Sequence, residues 1–279
     1  MNNYSKSRKE HLCKYAKEKK LPVGGKFQGK ETQWTDLILL YDNPNRLKII
    51  EKYNLLNGLK LDTEFSKKLH MFAHHLSSSQ ILCYNYFRPM IVENGHPNIE
   101  LIDIFKNRGI YIAQDVDCQF EYGGYELFPN EGTEYDFHLI DKDKETEVFI
   151  ETKYTEEAFG KAYKNKKSKN GPSYSEKFKN VYTEMIEKCA CLKSKKEIEL
   201  DVFLNNYQLF RNVLRITDKS KYTVFIFPYQ HSKLRKEYEQ FKKNFITDEY
   251  SNNVIAIHWE ELMKGKEESE LFKKYFAMD

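Results

Sequence analysis

The segment from Val148 to Tyr154 constrains the fold more than any other part of the chain. It reads Val-Phe-Ile-Glu-Thr-Lys-Tyr, so apolar side chains occupy both alternating positions of an extended strand before the charged residues begin. A strand that is apolar on both sides is typical of the centre of a sheet whose two faces are covered by helices. The segment therefore predicts a layered protein with a buried central strand, in which Glu151 and Lys153 would be costly to bury without partners.

A second strand is predicted immediately before this one, at residues 134–140. The connection, residues 141–146, is short and polar, which favours an antiparallel hairpin between the two strands. A turn centred on the middle of that connection makes the numbers of facing positions add to 287, and this register sets Asp136 opposite Glu151. Because side chains alternate along a strand, Lys153 shares a face with Glu151, and we expect the three charged groups to converge.

The rest of the chain predicts helices before the hairpin and a mixture of helices and strands after it. Hydrophobic periodicity and turn residues predict helices at 36–51, 63–92, 98–107, 174–192, 200–216, 233–245 and 260–276, strands at 111–122, 222–228 and 254–258, and turns at 123–124 and 129–132. This order indicates a mixed α/β protein. We expect a basic N-terminal arm and helical extension over residues 1–60, followed by one larger domain over residues 61–279.

The composition excludes two classes of protein. A hydrophobic content of 40% with 15% aromatic residues excludes a disordered chain, and 31% charged residues with a mean hydropathy of −0.74 exclude an integral membrane protein. The N-terminus lacks an apolar signal core, so we expect a cytoplasmic protein with no membrane partner. Five irregularly spaced cysteines fit free thiols in a reducing compartment.

Charge is distributed unevenly, although the formal net charge is only +3. Residues 6–30 hold nine basic and two acidic side chains, and residues 161–179 hold seven lysines against one glutamate. Local positive potential of this kind suits a protein that contacts nucleic-acid phosphates on one face. Solvated lysine-rich loops explain the same pattern equally well, and the sequence leaves both interpretations open.

Two carboxylates and one ammonium on a single sheet face are the groups that metal-assisted phosphodiester hydrolysis requires. Carboxylate oxygens are ligands that Mg²⁺ prefers, and a nearby cation can orient the attacking water or offset transition-state charge. A solvent-facing hairpin with a cross-strand salt bridge would carry the same residues without any function. Because the apolar residues before Glu151 predict burial, we favour a site composed of Asp136, Glu151 and Lys153.

These residues resemble the motif of the PD-(D/E)XK nuclease superfamily, in which a hairpin carries Asp and then Glu-x-Lys. Tyr135 stands where the Pro of the motif's name occurs. The residues that follow Lys153 are similar to the continuation found in a bacterial restriction-endonuclease-like branch, as are two stretches on flanking helices; the similar segments are Tyr154-Thr155-Glu156, Phe159-Gly160, 78–89 and 207–212. The resemblance spans roughly residues 64–262 and does not explain the basic N-terminal segment.

The resemblance implies an α/β restriction-endonuclease-like core, with a mixed central sheet flanked by helices, plus an N-terminal helical extension. It implies an endonuclease, related to restriction or defence, that hydrolyses double-stranded DNA with Mg²⁺ and leaves 5′-phosphate and 3′-hydroxyl ends, with Mn²⁺ able to substitute. Asp136, Glu151 and the carbonyl of Thr152 would hold the metal, while Lys153 positions the water. A homodimer is compatible with this hypothesis. A non-catalytic nucleic-acid-binding protein and an RNA-processing nuclease on the same core are the alternatives.

Further polar residues are candidates for contacts around this site. Gln80, Gln208 and Arg211 are polar groups on otherwise apolar helices, and such groups pair with buried backbone or with the groups of a site. Glu156 belongs to the segment that matches the bacterial branch. The lysines that follow the charged strand are candidates for contacts with the DNA backbone: Lys161, Lys164, Lys166 and Lys167.

Three histidines invite a metal-site interpretation. His70 and His74 would share one face of the helix predicted at residues 63–92, with His75 beside them. The segment has no Glu between the histidines in the manner of H-E-x-x-H and no third ligand. We therefore favour a solvated or packing role over zinc binding.

Overall fold

A five-stranded mixed sheet forms the centre of the molecule. In chain order its strands are β1 (Asp117–Tyr122), β2 (Tyr135–Asp141), β3 (Thr146–Thr152), β4 (Lys221–Phe227) and β5 (Val254–His258). The spatial order is the same, with antiparallel pairing from β1 to β3 and parallel pairing from β3 to β5. The computed structural model describes residues 3–26, 32–42, 44–92, 94–123, 133–141, 143, 145–167 and 171–277. The predicted mixed α/β fold is confirmed.

The hairpin formed by β2 and β3 has the predicted register. Phe137 faces Ile150 and Leu139 faces Val148, so the position numbers of each pair add to 287. The strand ends two residues earlier than predicted, at Thr152. Residues 142 and 144 of the connection, and the turn residues predicted at 124 and 129–132, lie outside the described residues.

Helices cover both faces of the sheet. Within the described residues they are α1 (Asn3–Glu18), α2 (Arg46–Tyr53), α3 (Thr63–Lys67), α4 (Ser79–Phe87), α5 (Ile99–Lys106), α6 (Tyr174–Lys177), α7 (Thr183–Lys188), α8 (Leu200–Asn205), α9 (Tyr207–Val213), α10 (Ser232–Phe245), α11 (Trp259–Leu262) and α12 (Glu270–Tyr275). None of these helices is both long and apolar enough to span a membrane.

Two large hydrophobic cores lie on opposite faces of the central strands. Val224 and Ile226 of β4 pack in one core together with Ile150 of β3, whereas Phe225 and Phe227 pack in the other. All five side chains are fully buried, and each such side chain contributes about 1.5–3 kcal/mol of hydrophobic free energy. The central strands are apolar on both of their faces because each face packs in a different hydrophobic core.

Four predicted helices are interrupted in the structure, and a fifth, predicted at 36–51, begins only at Arg46. The helix predicted at 200–216 is divided at Asn206, between α8 and α9. The helix predicted at 63–92 is wrong as one element, because Asp62 caps α3 and Ser78 caps α4, and the residues between them are not helical. His70 and His74 lie in that interval, so they do not share a helix face. The segment predicted at 174–192 contains a π-helical turn between α6 and α7, and the one predicted at 260–276 is divided at Gly265, whose φ of +78° favours glycine.

Helix α1, residues 3–18, packs on the body of the protein. Leu12 and Ala16 of α1 are fully buried in the core that contains Ile150. The Arg8 guanidinium is 5% exposed and donates to the backbone carbonyls of Phe276 and Ala277 near the C-terminus, each at 3.1 Å. Basic residues of this segment thus hold the helix against the body of the protein, and the division at residue 60 stays a prediction.

The cysteines are all free thiols, as predicted. Cys189 and Cys191 lie close to each other, with their sulfur atoms 3.4 Å apart. Both are buried, and both contact the carbonyl oxygen of Val213. The two thiols therefore pack together in the hydrophobic core below β4.

Lys274 of α12 is buried without exposed surface, which is unusual for an amine. Its Nζ donates to the carbonyl oxygen and to Oδ1 of Asn54, each at 2.8 Å. Burial lowers the pKa of Lys274 to about 7, because the charged form loses its hydration. The native state therefore releases this proton near neutral pH, whereas the unfolded chain retains it up to an ordinary lysine pKa.

We predict a pH-dependent stability difference between the wild type and Lys274→Met. Between pH 7 and pH 10 the unfolded wild-type chain binds more protons than the native state, so its free energy of unfolding should rise relative to the variant. The slope of this difference should approach about 1.4 kcal/mol per pH unit. Urea unfolding at several pH values measures it, with the exposed neighbour Lys273→Met as the control. Parallel curves for the wild type and Lys274→Met would contradict a lowered pKa.

Candidate active site

The candidate site lies where the β2–β3 hairpin opens. The ladder of backbone pairs reaches Phe137 and Ile150, and Asp136 is the next residue along β2. Its Oδ2 accepts hydrogen bonds from the amide nitrogen and from Oγ1 of Thr152, each at 2.6 Å. A side-chain carboxylate thus accepts the amide proton at the end of β3, which fixes the orientation of Asp136.

Glu151 and Lys153 form a buried ion pair beside Asp136. Lys153 Nζ lies 2.5 Å from Glu151 Oε1, and the two side chains are only 8% and 10% exposed. The backbone of Lys153 is held on both sides, because its amide donates to Ile226 of β4 and its carbonyl accepts from the indole of Trp259. The structure therefore brings together the charged residues that the hairpin register predicted.

Burial and mutual repulsion shift the pKa values of this group. Burial, and then the charge of Glu151, raise the pKa of Asp136 to about 7, against the opposing effects of Lys153 and the hydrogen bonds from Thr152. Burial alone would lower the pKa of Lys153, but the negative charges of Glu151, Glu156 and Asp136 outweigh it and raise the pKa. Lys153 is consequently a fixed cation, and Asp136 titrates near neutral pH.

A third carboxylate, Glu121 of β1, belongs to the same group. The pairs Phe120–Phe137 and Tyr122–Tyr135 place Glu121 level with Asp136 on the neighbouring strand. Glu121 is 7% exposed, and its Oε1 has no hydrogen-bond partner in the described part of the chain. Burial, and then the charge of Asp136, raise its pKa to about 9. Three acidic residues on three adjacent strands therefore form one row across the sheet.

Sequence reasoning missed Glu121 for a definite reason. A short turn fixes the register of β2 against β3, but the connection between β1 and β2 is long and sets no register. Glu121 also adopts a φ of +50°, which breaks the regular alternation of the strand. The only signal was an acidic position in the strand predicted at residues 111–122, which the structure shortens to Asp117–Tyr122.

The first turn of α4 borders the site and holds two of its acidic residues. Ser79 Oγ donates to Glu156 Oε1 at 2.5 Å, and Glu156 Oε2 accepts from the amide of Tyr154 at 2.6 Å. A hydrogen bond from Gln80 partly opposes the raised pKa of Glu121. Two of the polar residues suggested by the sequence, Gln80 and Glu156, thus lie around the charged group.

The other two polar candidates contact the segments beside the group. The side chain of Gln208 packs on Gly160, where an added Cβ would lie 3.0 Å from Gln208 Cδ and the φ is +95°. Arg211 donates to Oγ1 of Thr133, just before β2, and its guanidinium stacks on the ring of Tyr207. Gln208 and Arg211 therefore contact segments next to the site, namely Gly160 after β3 and Thr133 before β2.

The candidate DNA-binding lysines are on the surface after β3. Lys164 forms an ion pair with Asp201 at 2.8 Å, and Lys161 Nζ lies 3.5 Å from Oδ1 of Asn205. Lys166 and Lys167 are exposed. The positive potential available to an external partner therefore depends more on Lys166 and Lys167 than on Lys164, whose charge is offset.

The residues present fit a hard divalent cation by their chemistry. In the described part of the chain, no set of three or more His, Cys, Asp and Glu side chains is already arranged as a metal centre. The carboxylates of Asp136 and Glu151 are instead held by Thr152 and Lys153, while an oxygen of Glu121 lacks a partner. Mg²⁺ commonly binds through one or two carboxylates and retains water molecules, so this set of oxygens is sufficient.

The mixed sheet, the hairpin with its acidic residues and the flanking helix define a restriction-endonuclease-like α/β protein. Residues 10–277 match the model of a family described as restriction endonuclease associating with ARP, and the chain belongs to that family. No curated protein and no solved structure gives a significant match. The match covers residues 10–18 of α1 as well as the sheet, which extends the resemblance beyond residues 64–262 at both ends.

We predict that Glu121→Gln stabilises the protein in the absence of metal. At pH 7 the native carboxyl must hold a proton that the unfolded chain does not, so folding loses free energy as the pH rises from about 4.5 towards 9. The variant should gain on the order of 1–3 kcal/mol at pH 7, and the gain should disappear near pH 4. Denaturant unfolding in EDTA measures this gain, and the exposed Glu197→Gln, whose charge does not act on Glu121, serves as the control. If Glu121→Gln instead destabilises the protein at pH 7, the Glu121 carboxylate has a favourable interaction that offsets the cost of its burial.

Proposed function

We propose that the protein is a metal-dependent endonuclease that hydrolyses phosphodiester bonds of DNA. The observation that carries the proposal is the row of three carboxylates, the buried Glu121 and Glu151 and the half-buried Asp136, next to the fixed cation Lys153. Buried like charges are costly, and proteins retain them mainly where function requires them. Membership of a restriction-endonuclease family supports the same conclusion.

In this proposal Asp136 and Glu151 hold Mg²⁺, together with the carbonyl of Thr152 and the unpartnered oxygen of Glu121. When bound, the cation supplies Lewis-acid stabilisation of the negative charge that develops on the phosphate. The protein prepares the position by fixing Asp136 through Thr152 and by excluding water around Glu121.

Lys153 has a separate part in the proposed reaction. Once a divalent cation shares the charge of Glu151, the ammonium is able to orient the attacking water and to offset charge in the transition state. Glu156, which raises the pKa of Lys153 and is itself fixed by Ser79 and Tyr154, keeps the lysine charged.

For the substrate we propose double-stranded DNA, bound along the exposed lysines that follow β3. A homodimer that cuts both strands is compatible with this proposal. The family description also names an association with ARP, and we propose such an association for this chain.

Metal binding and cleavage test the proposal directly. The wild type should nick plasmid DNA with Mg²⁺ or Mn²⁺ and not with EDTA. Isothermal titration with Mn²⁺ should show that Asp136→Asn and Glu151→Gln each weaken binding about tenfold or more, since each removes a charged ligand. The exposed Glu197→Gln, outside the site, is the matched control and should bind Mn²⁺ as the wild type does. Unchanged affinity in both site variants would remove the metal from the hairpin, and a wild type that binds DNA without cutting it would favour the non-catalytic alternative.

The contribution of Lys153 is expected to differ from that of the carboxylates. Lys153→Met should retain Mn²⁺ and DNA binding but cleave roughly a hundredfold more slowly, the usual scale for one positioned electrostatic or proton-transfer group. Because the variant leaves Glu151 without its ion-pair partner, its thermal unfolding is measured with and without Mn²⁺, and the metal should restore stability. Cleavage at the wild-type rate would make Lys153 a bystander.

The salt dependence of DNA binding tests the surface lysines. Lys166→Gln/Lys167→Gln should lower the slope of log K against log salt by about two units, because each lysine that neutralises a phosphate of duplex DNA contributes about 0.9 to that slope. The weakening should depend little on DNA sequence, because phosphate contacts carry no base information. Lys106→Gln/Lys264→Gln removes two exposed lysines outside this segment and should keep the wild-type slope. If the first double variant keeps that slope too, the lysines are only solvated.

A further inference from the structure

A pocket of about 540 Å³ opens in the N-terminal part of the protein. Its walls come from residues 25–26, 38–41, 46, 71–72 and 74–75, and thus from segments that do not carry the carboxylate row. The volume lies within the range of about 300–1,000 Å³ that is typical of small-molecule sites. The proposed nuclease reaction does not use this pocket.

Three extended segments give the pocket a defined floor. Val23 pairs with Leu39, and Ile38 pairs with His75, so residues 23–25, 38–40 and 74–76 lie side by side. Gly25 permits the close approach, because a Cβ there would lie 2.4 Å from Cγ2 of Ile38. The lining is therefore largely formed before any ligand binds.

The charged side chains in the lining are basic. Arg46 begins α2, and Lys26 follows the close contact at Gly25. No Asp or Glu is among the described residues that line the pocket. The Arg46 guanidinium donates to the carbonyl of His70, which holds the planar group in one orientation. A pre-oriented guanidinium with a second cation nearby suits a phosphate group.

The remaining lining is apolar or aromatic, with one buried polar group. Leu40, Tyr41 and Met71 are 50%, 38% and 60% exposed, so apolar surface faces solvent at the mouth. The ring of Tyr41 packs edge-on against His74, at 4.8 Å between centroids. His74 is 6% exposed, and its Nδ1 lacks a well-formed hydrogen bond in the described part of the chain. Burial, and then the charge of Arg46, lower the pKa of His74 to about 4, so the ring is neutral at physiological pH.

We propose that this pocket binds a nucleoside phosphate. The phosphate lies on Arg46 and Lys26, and the base packs against the ring of Tyr41 and the side chain of Met71, with the neutral ring of His74 behind Tyr41. Such a ligand combines the anion and the flat apolar face that the lining complements. The ligand is either a free nucleotide or one nucleotide of a DNA strand, since both present the same groups.

The pocket is connected to the carboxylate row through the residues between α3 and α4. The amide of His70, whose carbonyl accepts from Arg46, donates to Oε1 of Gln80 at 2.9 Å. Gln80 Nε2 donates to the carbonyl of Lys68, and Lys68 Nζ donates to the carbonyl of Glu121. Residues 68–70 therefore contact both the pocket and the proposed active site. The proposed ligand of the pocket does not depend on the proposed catalytic activity.

Binding of 5′-dAMP, deoxyadenosine and inorganic phosphate to the full chain, measured by calorimetry in EDTA, tests the inference without any cleavage. The wild type should bind 5′-dAMP about tenfold or more tightly than either fragment, because the nucleotide uses both the cations and the aromatic wall. Arg46→Gln should weaken 5′-dAMP binding about tenfold, whereas Lys48→Gln, an exposed cation of the same helix outside the lining, should change it less than about twofold.

A second variant tests the same pocket in case Arg46→Gln does not fold. Met71 is largely exposed, so Met71→Glu should leave thermal unfolding unchanged while its charge repels the phosphate. Leu47→Glu, at an exposed position of α2 outside the lining, is its control.

A 5′-phosphorylated single-stranded oligonucleotide separates the two sources of the ligand. If it binds in an Arg46-dependent way while 5′-dAMP does not, the ligand is a strand nucleotide; if 5′-dAMP binds and the oligonucleotide does not displace it, the ligand is free. No Arg46-dependent binding of either ligand would overturn the inference. Equal affinity for inorganic phosphate and 5′-dAMP would also overturn it, since the aromatic wall would then contribute nothing.

Discussion

The two hydrogen bonds from Thr152 to the Asp136 carboxylate determine how the central hairpin ends. In an ordinary ladder the amide of Thr152 would bond to a backbone carbonyl, and the strands would continue side by side. Because a carboxylate accepts the proton instead, the strands separate at this point, and Glu151 and Lys153 lie next to the opening rather than inside a continuous sheet. The candidate site therefore forms because the carboxylate of Asp136 replaces a backbone carbonyl as the acceptor at the end of β2 and β3.

The N-terminal and C-terminal helices are tied to this opening by a buried polar network. Asn85 of α4 bonds to the amide of Leu56 and to the carbonyl of Asn54, which also accepts from Lys274. Asn85 also bonds to the hydroxyl of Tyr275, whose carbonyl accepts from the hydroxyl of Tyr154, one residue after Lys153. Buried networks of this kind rigidify a core when their members are satisfied. Residues before position 60 thus contribute to positioning α4 and the end of β3, although the resemblance in the sequence begins after them.

The sequence predicted those features that are determined by residues close together in the chain, and it failed for those that depend on contacts between distant residues. The connection between β2 and β3 is short, so the closeness of Asp136 and Glu151 followed from position numbers, and the apolar run before Glu151 predicted burial on both faces. Glu121 was not predictable, since no short turn sets β1 against β2. The helix at 63–92 was overextended because periodicity continued through residues 68–78, where the chain instead pairs with Ile38 across a long sequence separation. Local pattern was reliable where local geometry decided the outcome, and it failed where tertiary pairing overrode it.

The carboxylate row also explains why the site departs from the rules that the rest of the sheet follows. Elsewhere the central strands bury apolar side chains in two cores, but at their ends three acidic residues lie close to one lysine, which leaves more negative than positive charge if all are ionised. Protonation relieves this excess in the metal-free protein, as the raised pKa values of Glu121 and Asp136 indicate. A divalent cation would neutralise the same excess of negative charge, so its binding should release the protons from Glu121 and Asp136. The repulsion between carboxylates that lowers the stability of the metal-free protein would then contribute to metal affinity.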